Sequence, residues 1–367
     1  MSSIAQRDSK AERHRAKAIA KRAARWEAAL GVFLAVLIVY FAITTQGFFP
    51  SFGGFLSLTQ LFVPAGIIAL GLTPVMLMGG IDLSVGTTAS LAAVVMATAW
   101  QDGLSIWLAV VLALAVSALI GAINATLVTR GGIQPFIATL GTSFIYGSIG
   151  TAVAGNSPPY GFPDAFTIVG QGAIGGVMPY QLLIFLAVAA VVAIVMARTA
   201  GGRRVRMIGF SRGAARYAGV RTWRVTFGAY VACAVLAGLA GVLLGSYYSA
   251  VQPDVGNSLL LAAIAMVVLG GVDVFGGAGS LLGVGIAVMI VGLLQQGLLI
   301  RGLSDLESSM ATGILLIIGV TVRVWYGPWR GAIIGRLSGR VLASDGGPWR
   351  APSGIRRLWK RIRSQQP

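Results

Sequence analysis

The stretch Gly79-Gly80-Ile81-Asp82-Leu83-Ser84-Val85-Gly86 lies between two long apolar runs, 58–78 and 84–101, and it decides how the chain is read. Each run approaches the roughly 20 apolar residues that carry a helix across about 30 Å of hydrocarbon. Between them, two adjacent glycines let the backbone leave helical geometry. Asp82 or Ser84 can then cap a new helix by accepting bonds from the amides left open at its first turn. Helix, break and helix in this order predict a membrane protein. At membrane depth such a break persists only where it is buried in protein or lines a wet cavity. Two placements fit the spacing. In one, the open amides and carbonyls meet a polar solute, as in broken-helix transporters. In the other, Asp82 is a plain N-cap at the membrane surface.

Composition points the same way. Of 367 residues, 56% are hydrophobic and 11% charged, with mean hydropathy +0.83. A soluble domain carries about 25% charged residues, so this chain cannot coat itself for water. Many of its 51 glycines sit within apolar runs, which suits close helix packing in lipid. The single cysteine, Cys233, excludes a disulfide framework or a cysteine metal site within one chain.

Outward from the quoted stretch, ten apolar runs are legible: 28–45, 58–78, 84–101, 105–128, 133–154, 180–198, 225–248, 258–272, 279–299 and 309–326. The expected fold is therefore an all-α integral membrane protein of about ten transmembrane helices, broken at glycine-rich motifs. The first run follows a polar stretch with no small-residue cleavage site and reads as a retained anchor. The net charge of +17 is positional: eight Lys/Arg precede Trp26, eight lie from Arg198 to Arg224, and nine follow Tyr326. With ten spans and both termini in the cytoplasm, only Arg301 among the basic residues falls outside, whereas Asp102, Asp164, Asp254, Asp305 and Glu307 all do. Basic residues resist translocation, so this distribution reads as topology and not as a nucleic-acid surface.

The non-spanning pieces divide into a basic N-terminal extension (1–27), an external loop (155–178), a cytoplasmic loop (199–224) and a basic tail (327–367). In the loop, Ser211 is a good N-cap, Ala214 to Ala218 are helical and Gly219 is a stop, giving a short helix outside the bilayer. Such a helix suits a cytoplasmic partner; a basic topogenic loop is the plainer reading. In the tail, Ile355, Leu358, Trp359 and Ile362 recur at helical spacing among arginines and Lys360. That pattern fits an amphipathic helix on membrane lipid or a solvated tail.

Among the polar residues within the spans, Gln60, Asn124, Thr139, Thr142, Ser143, Gln295 and Gln296 stand out. Uncharged amides and hydroxyls suit a neutral polyhydroxylated solute. For any one of them, bonding between helices is the commoner role, and Asn124, between Gly121 and Ala125, reads that way. A second break, Gly270-Gly271-Val272-Asp273-Val274-Phe275-Gly276-Gly277, resembles the first, but the spans between do not divide into matching halves. No G-x-x-x-x-G-K-[ST] occurs, and His14 is the only histidine. The chain thus carries no ATP-cradling loop, no catalytic residues, no metal site and no cofactor of its own.

Four stretches carry a resemblance to a known family: Gly79–Gly86, the segment from Gly121–Asn124 to Gly132–Thr142 (GIQPFIATLGT), Gly209–Val220, and the segment from Gln252–Gly256 to Ala265–Gly277. They resemble, in order and over most of the chain, the permease subunits of ATP-binding-cassette importers of the ribose, xylose and galactose type. The resemblance implies a permease domain over 28–326 that pairs with a second permease chain. It also implies a cytoplasmic ATPase subunit, which binds the ATP, and an external solute-binding protein. The cargo would be a pentose, hexose or related small polyhydroxylated solute, moved inward across the cell's inner membrane. On this reading Gly80, Asp82, Ser84, Gln134, Thr139, Thr142 and Gln295 belong to the translocation pathway. Gly209, Ser211, Ala214, Ala215, Arg216 and Gly219 form the coupling helix that docks the ATPase. The chain departs from the family at Phe210, Ala262 and Asp273, where Asn, an acidic residue and a hydroxyl residue are usual; this leaves the sugar and the matching ATPase open. Related permeases also carry autoinducer-like furanoses, inositol and sugar alcohols. The competing expectation is an autonomous secondary transporter, disfavoured because such carriers usually need an ionisable relay at bilayer depth.

Overall fold

Apolar segments in lipid must satisfy their own backbone polar groups, and here they do so as helices. The computed structural model describes residues 25–49, 51–155 and 160–326. Expectations for residues 1–24, for the amphipathic tail after 326 and for residues 156–159 of the external loop lie outside these. The chain falls into two units, 1–317 and 318–367. Of the second, the described residues are the last turns of the final helix.

In order, the helices are α1 (Arg25–Thr44), α2 (Phe52–Ser57), α3 (Thr59–Leu77), α4 (Val85–Gln101), α5 (Ile106–Thr129), α6 (Pro135–Ala154) and α7 (Asp164–Gln171). A short hairpin follows, β1 (Ala173–Ile174) with β2 (Met178–Pro179), antiparallel with Ala173 opposite Pro179. Then come α8 (Tyr180–Arg198), α9 (Ala200–Phe210), α10 (Arg212–Tyr217), α11 (Thr222–Tyr248), α12 (Asn257–Leu269), α13 (Leu281–Ile300) and α14 (Asp305–Tyr326).

Among the described residues eight helices are long and apolar enough to cross a membrane, α2 and α3 together forming one of them. The expected count of about ten includes α4 and α12 as well, which have 17 and 13 residues. These two adjoin the glycine breaks, which take up chain that would otherwise be helical. At 1.5 Å per residue α12 is about 20 Å long, short of a 30 Å core. Its last residues sit against the first turn of α13, where a Cβ on Gly270 would lie 2.5 Å from Val284 Cα. Its other end therefore stops inside the bundle, backed against the start of α4 at Gly86 and Gly256.

The centre of the bundle is α3, buried on nearly every face, packed with α11, α12 and α13. Helix α11 also lies along α4 and α5. Glycines set these distances: Gly241 lets α11 meet the backbone of α4 at Ala89, and Gly121 lets α5 meet α11 at Val231. Helices α5, α6 and α8 keep broad apolar faces exposed, including Leu119, Phe144 and Val191, as lipid or a partner helix requires.

The described residues of the segment 155–178 are folded. The Gly170 carbonyl at the end of α7 accepts bonds from Gln60 Nε2 at 3.1 Å and Gln181 Nε2 at 2.9 Å. Ser246 Oγ donates to the Phe166 carbonyl at 2.6 Å. Gln60 thus ties helices together.

The segment 199–224 corrects the sequence reading. It holds two helices, and Gly209 belongs to α9, not to the helix that Ser211 caps. Its arginines suggested a basic loop. Yet Gly202, Val205 and Ile208 are buried at threefold spacing, and the arginines between them occupy the outer face of an amphipathic helix.

Candidate functional site

The first break is built from a helix cap and a turn. Gly79, at φ +75°, takes the left-handed conformation that ends α3. Its amide donates to Met76 O at 2.9 Å, and that of Gly80 to Val75 O at 3.0 Å. Two residues later Asp82 Oδ1 accepts from Ser84 N at 2.9 Å and from Ser84 Oγ at 2.7 Å. Asp82, rather than Ser84, therefore serves the open amide ahead of α4, whose N-cap Ser84 makes no side-chain cap bond.

Three neighbouring helices close around this turn. From α5, Asn124 Nδ2 donates to Ser84 Oγ at 2.8 Å, and Tyr146 of α6 donates to Asn124 Oδ1 at 3.2 Å. Also from α6, Thr139 Oγ1 accepts the Leu83 amide at 3.0 Å, and Thr142 Oγ1 donates to Thr139 O at 3.2 Å. From α11, the Tyr230 hydroxyl donates to Ile81 O at 3.4 Å. Asp82 is 0% exposed, and its Oδ2 has no hydrogen-bond partner among the described residues. Tyr230 stands about two turns into α11, so the break lies within the bundle, not at its surface. Of the two placements left open by spacing, that of Asp82 as a cap at the surface does not fit its burial, although Asp82 does act as the cap. A small cleft lined by Val75, Met78, Gly80, Val128, Pro135, Arg212, Thr226 and Tyr230 opens beside it.

The fold thus gathers Gly80, Asp82, Ser84, Thr139 and Thr142. Gln134 is exposed at the N-cap of α6 and makes no side-chain cap bond. Gln295 stands apart, donating from Nε2 to Thr312 of α14 at 3.1 Å. Sequence reasoning missed Tyr146 and Tyr230, each within an apolar run, and placed Asn124 only as a tie between helices. Asn124 is a tie, and what it binds is the break itself.

The second break uses the same devices. Gly271, at φ +94°, donates to Val268 O at 3.0 Å, and Val272 to Val267 O at 3.2 Å. Asp273 Oδ1 then accepts the Phe275 amide at 2.9 Å. The left-handed residue is the first glycine of the pair in one break and the second in the other, so the likeness is local, offset by one position. The two breaks touch, with the Gly277 amide donating to Leu77 O at 2.9 Å. The first described turn of α1 also lies here: Trp26 Nε1 donates to Leu269 O at 3.0 Å, and Ser280 bonds Glu27.

A further polar group surrounds the inner end of α12. Gly256 N donates to Ser90 Oγ at 2.9 Å, and Gln252, Asp254, Asn257 and Ser258 are exposed beside it. Helix α10 lies at the end of the bundle where α9 meets the breaks. Ser211 Oγ accepts the Ala214 amide at 3.2 Å, Gly219 at φ +77° ends the turn, and Ala215 alone is buried. Ala214 and Arg216 are exposed, and Tyr217 is 97% exposed. No group of His, Cys, Asp or Glu able to hold a metal occurs among the described residues.

The role of Asp82 can be tested. Asp82→Asn keeps the Oδ1 acceptor and is expected to hold uptake within about tenfold of the parent. Asp82→Leu strands a buried amide and a hydroxyl, at about 1–3 kcal/mol each. Uptake and thermal unfolding of the two variants check this. Equal loss of uptake in both would mean that the charge, not the cap, is used.

The family described as branched-chain amino acid transport system / permease component matches residues 54–320. The autoinducer 2 import system permease protein LsrD of Photorhabdus luminescens is 35% identical over 321 residues, covering 83% of this chain and 96% of that protein. LsrD of Yersinia pseudotuberculosis serotype O:3 (strain YPIII) is 37% identical over 304 residues, covering 81% and 91%. No solved structure matches.

Proposed function

The chain belongs to the branched-chain amino acid transport system permease family as a permease subunit of an ATP-binding-cassette importer, and we propose that it moves a small polyhydroxylated solute inward across the inner membrane. The cargo named for its relatives, autoinducer 2, is the first to test, ahead of pentoses and hexoses. The hydrogen-bonding groups around the first break support this class: Ser84, Asn124, Thr139, Thr142 and Tyr146 are all neutral and can donate or accept. The pathway runs past Gly80 and Asp82, with Gln134 and Gln295 as outlying candidates. A separate ATPase binds ATP, a solute-binding protein delivers from outside, and a second permease chain completes the channel.

The observation that carries the reading is α10, a capped helix with one buried residue, held between α9 and α11 beside the breaks. It has the form of a docking element for a cytoplasmic ATPase, and that end of the bundle faces the cytoplasm. Purifying the tagged chain from its native membrane in mild detergent tests this by mass spectrometry. A P-loop ATPase in about equal amount is the expected companion; its absence defeats the reading. Ser211→Ala removes the cap of α10, a loss of about 1 kcal/mol. It is expected to weaken ATPase retention about fivefold, measured by titrating purified ATPase against the permease in nanodiscs.

Asp82 favours a second reading. A buried membrane carboxylate with one oxygen unpartnered is where ion-coupled carriers place their relay. Gradient-driven uptake in liposomes holding this chain alone would replace the importer reading.

A further inference from the structure

Three glycine stretches from distant parts of the chain meet backbone to backbone. A Cβ added at Gly209, in the last turn of α9, would lie 2.0 Å from Leu77 O and 2.7 Å from Gly277 N. One added at Gly276 would lie 2.7 Å from Gly79 N, and one at Gly79 2.9 Å from Phe275 O. The Gly277–Leu77 hydrogen bond joins the same two strands of backbone. No side chain is interposed. A side chain between two elements can rotate and absorb a displacement, whereas main chain packed on main chain has no such freedom. An ångström-scale shift of α9 therefore displaces both breaks together.

Helix α9 is in turn tied to α10. Ser211 alone separates them, extended at φ −163°, and its side chain caps α10 while its amide closes α9 on Met207 O at 3.1 Å. Arg212 of α10 also lines the cleft shared by Gly80 and Tyr230. The docking helix thus reaches the first break by two routes.

We propose that the junction of Gly79, Gly209, Gly276 and Gly277 transmits movement of α10 to both glycine breaks, with Gly209 as its positioning residue. The inference rests on α10 being the ATPase-docking element. ATP-driven motion at α10 bends the ends of α3 and α12 and the starts of α4 and α13 in one step.

The test is hydrogen exchange on the permease–ATPase complex in nanodiscs, with and without Mg-ATP and vanadate. In the parent complex, peptides covering 206–220, 76–84 and 270–278 are expected to change exchange together on trapping. In Gly209→Ala the ATPase still co-purifies and 206–220 still responds, but the response of both break peptides falls about fivefold or more, the lower end of ordinary coupling energies. Gly66→Ala is the packing control: its Cβ would lie 2.8 Å from Val288 Cγ1, away from the junction. It is expected to keep the full response. Undiminished break responses in Gly209→Ala, or equal loss in Gly66→Ala, overturn the proposal. If Gly209→Ala fails to fold, the parent complex decides alone: a response at 206–220 with none at the breaks overturns the proposal. Absence of ATPase from the parent preparation defeats the docking assignment instead, a separate outcome.

Discussion

Gly80→Leu is expected to abolish uptake while leaving membrane insertion intact. A Cβ at residue 80 would lie 2.9 Å from the Tyr230 hydroxyl, 3.2 Å from Val75 Cγ1 and 3.3 Å from Val75 O. The rest of a leucine side chain must then enter the small cleft between Val75, Met78 and Tyr230. Tyr230 is driven off Ile81 O, and the turn carrying Asp82 moves with it. Displacements near 1 Å at a functional constellation cost about a hundredfold in rate, so uptake should fall by at least that much. Insertion is spared because the flanking apolar runs, which decide it, are unaltered. Gly80→Ala presses mainly on a movable hydroxyl and should retain intermediate uptake. Membrane yield, detergent size exclusion and uptake are measured together. Parental uptake by a well-expressed Gly80→Leu protein would show that the break is no part of the pathway.

The second large effect is on assembly. In Gly241→Ala the new methyl would lie 2.0 Å from Ala89 O and 2.7 Å from Ala89 C, both main-chain atoms of α4. No rotamer relieves such a contact, so α11 and α4 must separate by more than an ångström and lose dispersion contacts along their crossing. Overpacking of this kind costs about 1–3 kcal/mol, and backbone against backbone places it at the upper end. Gly228→Ala on the same helix meets nothing within 4 Å. There the only change is helix propensity, a gain of up to about 1 kcal/mol. Thermal unfolding in detergent should therefore show Gly241→Ala well below the parent and Gly228→Ala at or above it. Equal midpoints for the two would mean that α4 and α11 do not cross at Gly241 and Ala89.

Much of this protein could be read from its residues in order. Helices follow from apolar runs, because a chain in lipid has no other way to pair its amides over such lengths. The end of α3 at Gly79 and the capped span from Ser211 to Gly219 were equally legible. Left-handed glycines and N-capping hydroxyls act on groups within five residues, and a local sequence contains them whole. The arginines of 199–224 concealed α9, since charge was given more weight than the spacing of Gly202, Val205 and Ile208.

What surrounds those local features was decided only in three dimensions. Asp82 and Ser84 could be recognised as a cap, but not that Asn124, 40 residues on, would bind Ser84. Nor could it be read that Thr139 would receive the Leu83 amide, 56 residues away. The two breaks were visible as similar strings, yet their contact through Leu77 and Gly277, with Gly209 against both, was not. Hydropathy and capping are properties of neighbours along the chain, so the sequence by itself determined a bundle of membrane helices with two breaks and one protruding cap. Which surfaces meet depends on where a missing side chain lets two backbones approach, and only the tertiary structure places those gaps opposite one another.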